Sequence, residues 1–122
     1  MRRAARFIVV VAMVAILVFY VKMAEPKVHS VVIGPNYQVL LPGDSLQLIA
    51  SVYADAGVAT TVSWSSQDST RAIVSQSGKV SVPTGAGYGP VKVIARSTTN
   101  GKVAGEVLLY VDPEFSKRVS HH

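Results

Sequence analysis

Apolar and polar residues alternate with a period of two along most of the chain after residue 27. Alternation of this kind is typical of β-strands that turn one face to a core, because successive side chains point to opposite faces. Longer runs predict strands over residues 46–53, 61–65, 91–96 and 103–111, and shorter runs predict strands at Val28–Ile33, Tyr37–Leu41, Arg71–Val74 and Lys79–Val82. In the longer runs the phase assigns these residues to the interior: Leu46, Leu48, Ala50, Val52, Val62, Trp64, Val91, Val93, Ala95, Val103, Gly105, Val107, Leu109 and Val111.

Turn-forming residues fall in the gaps between these runs. They are Gly34-Pro35-Asn36, Pro42-Gly43-Asp44, Asp55-Ala56-Gly57, Ser77-Gly78 and Asn100-Gly101. The Asn100-Gly101 pair lies between two alternating strands and predicts a tight hairpin. Seven or eight short strands at this spacing, with no helical period after Ala24, predict an all-β fold arranged as a β-sandwich.

The beginning of the chain follows a different pattern. Fifteen consecutive uncharged residues run from Phe7 to Val21, with three arginines before them and Lys22 after them. Such a run near an N-terminus is typical of a membrane-targeting segment. As a helix it rises about 22 Å, and residues 4–24 rise about 31 Å, which matches a hydrocarbon core of roughly 30 Å. The sequence therefore predicts a single N-terminal transmembrane helix that acts as a signal-anchor.

A cleaved signal peptide is the alternative to an anchor. Ala24 is the only small residue near the end of the run, and Lys22 stands two positions before it, where a cleavage site takes a small side chain. Phe19 and Tyr20 are also bulky for a cleavage region, so the sequence favours the anchor. The arginines before the run predict a single-pass protein with a cytoplasmic N-terminus and a periplasmic or extracellular domain. The predicted divisions are residues 1–27 for the anchor and linker, 28–112 for the domain and 113–122 for a polar tail.

The charge of the chain narrows the choice of partner. The formal net charge is +5, which in a compact domain would suggest a nucleic-acid partner. Between residues 28 and 112, however, five basic side chains balance five acidic ones, so the excess lies towards the two ends. We therefore expect no nucleic acid and expect the basic ends to meet anionic lipid headgroups. The chain contains no cysteine, which excludes disulfides and thiolate metal sites.

Five segments of the chain together resemble the group 2 bacterial immunoglobulin-like (Ig-like) domains. The segments are Pro42–Ala50, Val62–Ser69, Ala72–Ser75, Ser77–Val80 and Gly89–Ala95, in the order in which that family has them. The likeness covers about Val28 to Val111, and the link Thr84–Gly89 is a few residues longer than is usual in the family. The resemblance implies an Ig-like β-sandwich used for adhesion, surface display or spacing, in bacteria and on phage particles, with no catalytic residues.

No combination of residues in the chain predicts a reaction. His29 stands alone, the other two histidines lie in the tail, and no serine has a base beside it. Asp44, Asp55 and Asp112 lie near strand ends, where three carboxylates with main-chain carbonyls could bind a calcium ion. They lack, however, the spacing of a calcium loop. We therefore predict no enzyme activity, no cofactor and no metal site.

Two sets of side chains are candidates for other roles. Trp64 has an inward position and is predicted to lie in the core, with ligand stacking as the alternative. Ile94, Leu108 and Tyr110 take outward positions on neighbouring strands and are predicted to form a partner-binding patch. A chance cluster of exposed apolar side chains is the alternative for this patch.

Two functions fit these observations. The first is a membrane-anchored, non-catalytic Ig-like module for binding, adhesion or surface display outside the cytoplasm, with a protein, a surface glycan or a second copy of the chain as its partner. The second is a structural subunit of an envelope complex, or of a phage virion or tail assembly. Lys22 precedes the first predicted strand by only six residues, which mildly disfavours long-range adhesion.

Overall fold

The structure is a computed structural model that describes residues 25–115 and residue 117. Within these residues the fold contains nine strands: β1 (Val28–Gly34), β2 (Tyr37–Leu40), β3 (Ser45–Gln47), β4 (Ile49–Ala54), β5 (Val62–Ser66), β6 (Ile73–Val74), β7 (Lys79–Ser81), β8 (Gly89–Ser97) and β9 (Ala104–Val111). The all-β prediction is confirmed. The predicted anchor at Phe7–Val21 lies outside the described residues, and within them no helix is long and apolar enough to cross a membrane.

The strands form two layers. One layer is a four-stranded sheet in the order β2-β9-β8-β5, in which β2 runs parallel to β9 and the other pairs are antiparallel. The other layer contains the pair β1-β4 and the three-stranded sheet β3-β7-β6. The chain passes directly from the three-stranded sheet into the β1-β4 pair, because a single residue separates β3 from β4.

That single residue, Leu48, explains why there are nine strands and not the seven or eight predicted. Its side chain is buried in the core, and its main-chain N–H donates to the carbonyl of Gly78 at 2.9 Å. On either side of it the chain has different partners, since β3 pairs with β7 and β4 pairs with β1. The alternation from residue 46 to residue 53 is therefore correct in phase, but it belongs to two strands.

The core lies between the layers and has the composition that the alternation predicted. Its buried members include Leu48, Val93, Leu109 and Val111 at the centre, with one large aromatic side chain, Trp64. At one side β1 and β9 approach so closely that a Cβ atom on Gly105 would collide with the carbonyl of Val31. Glycine at this position lets the two layers meet backbone to backbone.

The β8–β9 hairpin exists, but the tight turn predicted at Asn100-Gly101 is wrong. The loop spans residues 98–103, and neither Asn100 nor Gly101 has the positive φ that a two-residue turn of this type requires. The buried hydroxyl of Ser97 accepts hydrogen bonds from the N–H groups of Thr99 (3.2 Å) and Asn100 (3.1 Å). The Ser97 side chain thus accepts hydrogen bonds from two N–H groups of the loop, and this favours a loop longer than two residues.

Candidate interaction face

The predicted patch residues all lie on the outer face of the four-stranded sheet. In the register of β8 and β9, Leu108 lies opposite Lys92, and Ile94 lies opposite Glu106. Tyr110 follows Leu108 by two residues and therefore points to the same side. Leu108 is 37% exposed, whereas Ile94 and Tyr110 are half-buried by their neighbours. The structure thus brings the three side chains to one face, which we call the outer sheet face.

Strand β2 adds an aromatic residue that the sequence analysis did not include. Because β2 pairs in parallel with β9, Tyr37 lies beside Leu108 and Val39 lies beside Tyr110. The rings of Tyr37 and Tyr110 have centroids 5.6 Å apart and planes inclined at 48°, a favourable tilted arrangement. Tyr37 is 57% exposed, more than Leu108 beside it. No local pattern marks this pairing, because β2 and β9 are about 70 residues apart in the chain.

An ion pair divides the outer sheet face. The Nζ atom of Lys92 lies 3.5 Å from Oε2 of Glu106, and both side chains are about half exposed. An ion pair with this exposure contributes between zero and about 1 kcal/mol. Its position matters more than its energy, since it separates Ile94 from the apolar group formed by Leu108, Tyr110 and Tyr37. The face therefore offers one aromatic–aliphatic cluster beside one pair of opposite charges.

Trp64 lies in the core and not on this face. Its side chain is 6% exposed and packs on Gly78, where an added Cβ would lie 2.8 Å from the indole ring. The side-chain amide of Gln76 forms hydrogen bonds with the main chain of Trp64 at the edge of the sheet. Its oxygen accepts from the Trp64 N–H at 3.3 Å, and its NH₂ group donates to the Trp64 carbonyl at 3.2 Å. The indole is thus enclosed and is not available for stacking against a ligand.

The aspartates that were considered for calcium have separate roles. Asp44 accepts the N–H of Leu41 within the turn before β3, at 2.9 Å. Asp112, which is buried after β9, accepts the N–H of Glu114 at 3.0 Å. In residues 25–115 and 117, no group of three His, Cys, Asp or Glu side chains is arranged to hold a metal ion.

Asp55 links the start of β1 to the end of β4. Its two carboxylate oxygens contact the Nε2 atom of His29 at 2.8 Å and the N–H of Lys27 at 3.0 Å. These two hydrogen bonds, the first above all, lower the pKa of Asp55 below its ordinary value of 3.8. The linker that leads back towards the predicted anchor is therefore held where it enters the domain.

Comparison with known protein families gives a match over most of the described domain. The family of bacterial Ig-like domains, group 2, matches residues 27–107. This chain belongs to that family. The membership predicted from the residues is confirmed, and group 2 bacterial Ig-like domains are non-catalytic binding or structural modules.

Among solved structures, a crystal structure of an intimin mutant of EHEC O157:H7 has a chain that is 27% identical to this one. The match covers 70% of this chain and has a TM-score of 0.46. It covers 45% of the intimin chain in that structure, so this Ig-like chain spans less than half the length of that chain. No curated protein matches the chain.

Proposed function

We propose that this chain is a membrane-anchored, non-catalytic Ig-like module that presents its outer sheet face to a protein or surface-glycan partner outside the cytoplasm. The observation that carries the proposal is the cluster of Tyr37, Leu108 and Tyr110 on the outer sheet face, next to the Lys92–Glu106 pair. Membership of a family of binding and structural modules supports it.

The chemistry of the outer sheet face suits recognition. Tyrosine side chains combine a large apolar ring with a hydroxyl that hydrogen-bonds, so they contribute to protein interfaces and stack on sugar rings. Binding energy at such interfaces concentrates in a few central aromatic or aliphatic side chains surrounded by polar groups. Tyr37 and Leu108 have this arrangement, with Lys92 and Glu106 at their side.

The anchor is the second part of the proposal. Its support is the apolar run Phe7–Val21, followed by a linker that reaches Val28 within six residues of Lys22. A linker of this length spans at most about 20 Å, so the domain works close to the membrane surface. The same short reach favours the second candidate function, a structural subunit of an envelope or phage assembly, in which the outer sheet face packs against a neighbouring subunit.

The anchor is tested by fractionation of the full chain. We expect the protein to stay with membranes through a carbonate wash, to retain Met1 by intact-mass analysis, and to expose its domain to protease added outside the inner membrane. A mature N-terminus near Glu25, or release by carbonate, would contradict the anchor without affecting the binding face.

The outer sheet face is tested by photo-crosslinking with an unnatural residue at two matched positions. Tyr37 (57% exposed) lies on this face, and Ile73 (53% exposed) lies on the opposite layer. We expect discrete adducts with a protein or glycan from position 37 and none from position 73. A position 37 variant that forms no adducts, or the same adducts as position 73, would refute binding through this face. An adduct with a capsid, tail or envelope subunit would select the structural function.

A further inference from the structure

The layer opposite the outer sheet face also carries large exposed apolar side chains. Val32 projects outward from β1, Ile49 and Tyr53 from β4, and Ile73 from β6, and each is more than half exposed. We call the outer surface of this layer, with these four side chains, the Ile49 face. In the register of β1 and β4, Val32 lies opposite Ser51, so it is diagonal to both Ile49 and Tyr53. Three of the four side chains therefore form one apolar group.

The strands behind the Ile49 face have no acidic side chain. β1, β3, β4, β6 and β7 contain no aspartate and no glutamate, and β7 contributes the exposed Lys79. Lys27 adds a second exposed cation directly before β1. The carboxylates next to β3 and β4, Asp44 and Asp55, accept hydrogen bonds from within the domain. The Ile49 face is thus apolar and weakly basic, whereas the outer sheet face carries Glu106.

The chain enters the domain through this layer. The N–H of Lys27 donates to the carboxylate of Asp55 at 3.0 Å, and the N–H of Asp55 donates to the carbonyl of Lys27 at 3.0 Å. The residue before β1 is therefore fixed to the end of β4. From Val28 at most about 20 Å of chain leads back to Lys22, at the end of the proposed anchor. The layer that carries the Ile49 face is thus tied directly to the anchor.

We propose that the Ile49 face lies on the anionic lipid surface of the membrane that holds the anchor. This inference rests on the anchor of the proposed function and adds the orientation of the domain. Exposed apolar side chains with tyrosine and lysine among them suit the lipid–water boundary, because the apolar groups enter the headgroup layer while the cations meet lipid phosphates. Since the two layers lie on opposite sides of the core, the outer sheet face then points away from the membrane.

Other parts of the surface suit lipid less well. The outer sheet face would place the carboxylate of Glu106 against anionic headgroups. The loops at the anchor end, residues 55–61 and 98–103, include none of the large exposed apolar side chains. A domain standing upright on those loops would bury little apolar surface. The Ile49 face combines apolar area with positive charge beside the anchor.

The contact is weak by itself, and the tether makes it significant. Each lysine near an anionic lipid surface strengthens association about fivefold, and the attraction falls off within a Debye length of roughly 10 Å. A linker of this length also holds the domain at about millimolar effective concentration beside the membrane, so a low intrinsic affinity suffices. We therefore expect lipid contact to depend on anionic lipid and to weaken at high salt.

The experiment labels the full chain with a fluorophore in lipid nanodiscs and measures quenching by a lipid that carries a quencher in its headgroup. The native chain has no cysteine, so Ser51→Cys labels the centre of the Ile49 face, and Ser65→Cys labels an exposed position on the outer sheet face. With phosphatidylglycerol in the disc, we expect severalfold stronger quenching at position 51. The difference should shrink in pure phosphatidylcholine and at high salt.

Two results of this comparison would overturn the proposal. Equal quenching at the two positions in the anionic disc, or stronger quenching at position 65, would show that the Ile49 face does not lie on lipid. A difference of the same size in both lipids and at high salt would overturn the assignment to anionic lipid.

Two substitutions of similar exposure separate this face from a general effect of charge. Ile49→Glu adds a carboxylate to the Ile49 face at a side chain that is 67% exposed, and Tyr88→Glu adds one before β8 at a side chain that is 63% exposed. We expect Ile49→Glu to lower the quenching at position 51 to the level at position 65, and Tyr88→Glu to leave it unchanged. Equal effects of the two substitutions, or no effect of Ile49→Glu, would overturn the proposal.

The outcomes distinguish this inference from the proposed function. A chain that does not copurify with the discs would overturn the anchor and this orientation with it. A chain that copurifies without stronger quenching at position 51 would overturn the orientation alone, and the crosslinks from Tyr37 would still decide the outer sheet face. A protein adduct from the photo-crosslinker at Ile73 would also overturn the proposal, because protein and not lipid would then cover the Ile49 face.

Discussion

Replacement of Trp64 by alanine tests how the core is held together. The indole is 6% exposed, and burial of a side chain of this size removes roughly 150–250 Å² from water, or about 4–6 kcal/mol at about 25 cal/mol per Å². The cavity does not close easily, because the Gly78 main chain beneath the ring is held by its hydrogen bond to Leu48. We expect the free energy of unfolding to fall by about 3–5 kcal/mol, a large part of the stability of a small domain.

The assay is thermal and denaturant unfolding followed by far-ultraviolet circular dichroism, because the variant loses the only tryptophan of the chain. A loss of 3 kcal/mol lowers the melting temperature of a domain of this size by at least about 12 °C. Trp64→Phe is the matched control and should lose less, since it retains an aromatic ring between the layers. A Trp64→Ala variant that melts within a few degrees of the parent would refute the assignment of Trp64 to the core.

Three further perturbations have defined outcomes. Leu108→Lys should abolish the crosslinked adducts from position 37 while changing the melting temperature by only a few degrees, because Leu108 is 37% exposed; a large thermal loss would show that it is core. Gly105→Ala should cost about 1–3 kcal/mol in chemical denaturation, because its Cβ meets the Val31 carbonyl, and unchanged stability would contradict that close approach. Because the pKa of Asp55 is lowered in the folded state, its contribution to stability is present above pH 3.8 and is lost as the pH falls through the lowered value. Asp55→Asn should therefore flatten the acid side of the stability profile, and an unchanged acid limb would refute this.

Local alternation determined which side of each strand faces the core. Leu48, Val93, Leu109 and Val111 are buried as their period-two positions predicted, and the intervening residues point outward. This part of the fold is readable because a strand turns every second side chain to the same face, whatever strand lies beside it. The family signature between Pro42 and Ala95 is readable for the same reason, since it is a local order of turns and alternating strands.

Strand partners were decided by contacts between distant parts of the chain. No local pattern near residue 48 shows that β3 joins β7 while β4 joins β1, because the choice depends on where Gly78 places its carbonyl. The turn at Asn100-Gly101 was misjudged for a similar reason, since the buried Ser97 hydroxyl binds loop N–H groups and favours a longer loop.

At the surfaces, too, the sequence determined some features and the tertiary structure determined others. The sequence alone placed Ile94, Leu108 and Tyr110 on one face, because a period of two and a hairpin are local properties. Only the tertiary structure put Tyr37 against Tyr110, since that contact requires a parallel pairing between the two ends of the domain. Likewise, period two marked Ile49 and Tyr53 as outward, but only the pairing of β1 with β4 put Val32 beside them. Side-chain direction is a property of each strand, whereas neighbours and free edges are properties of the whole assembly of strands.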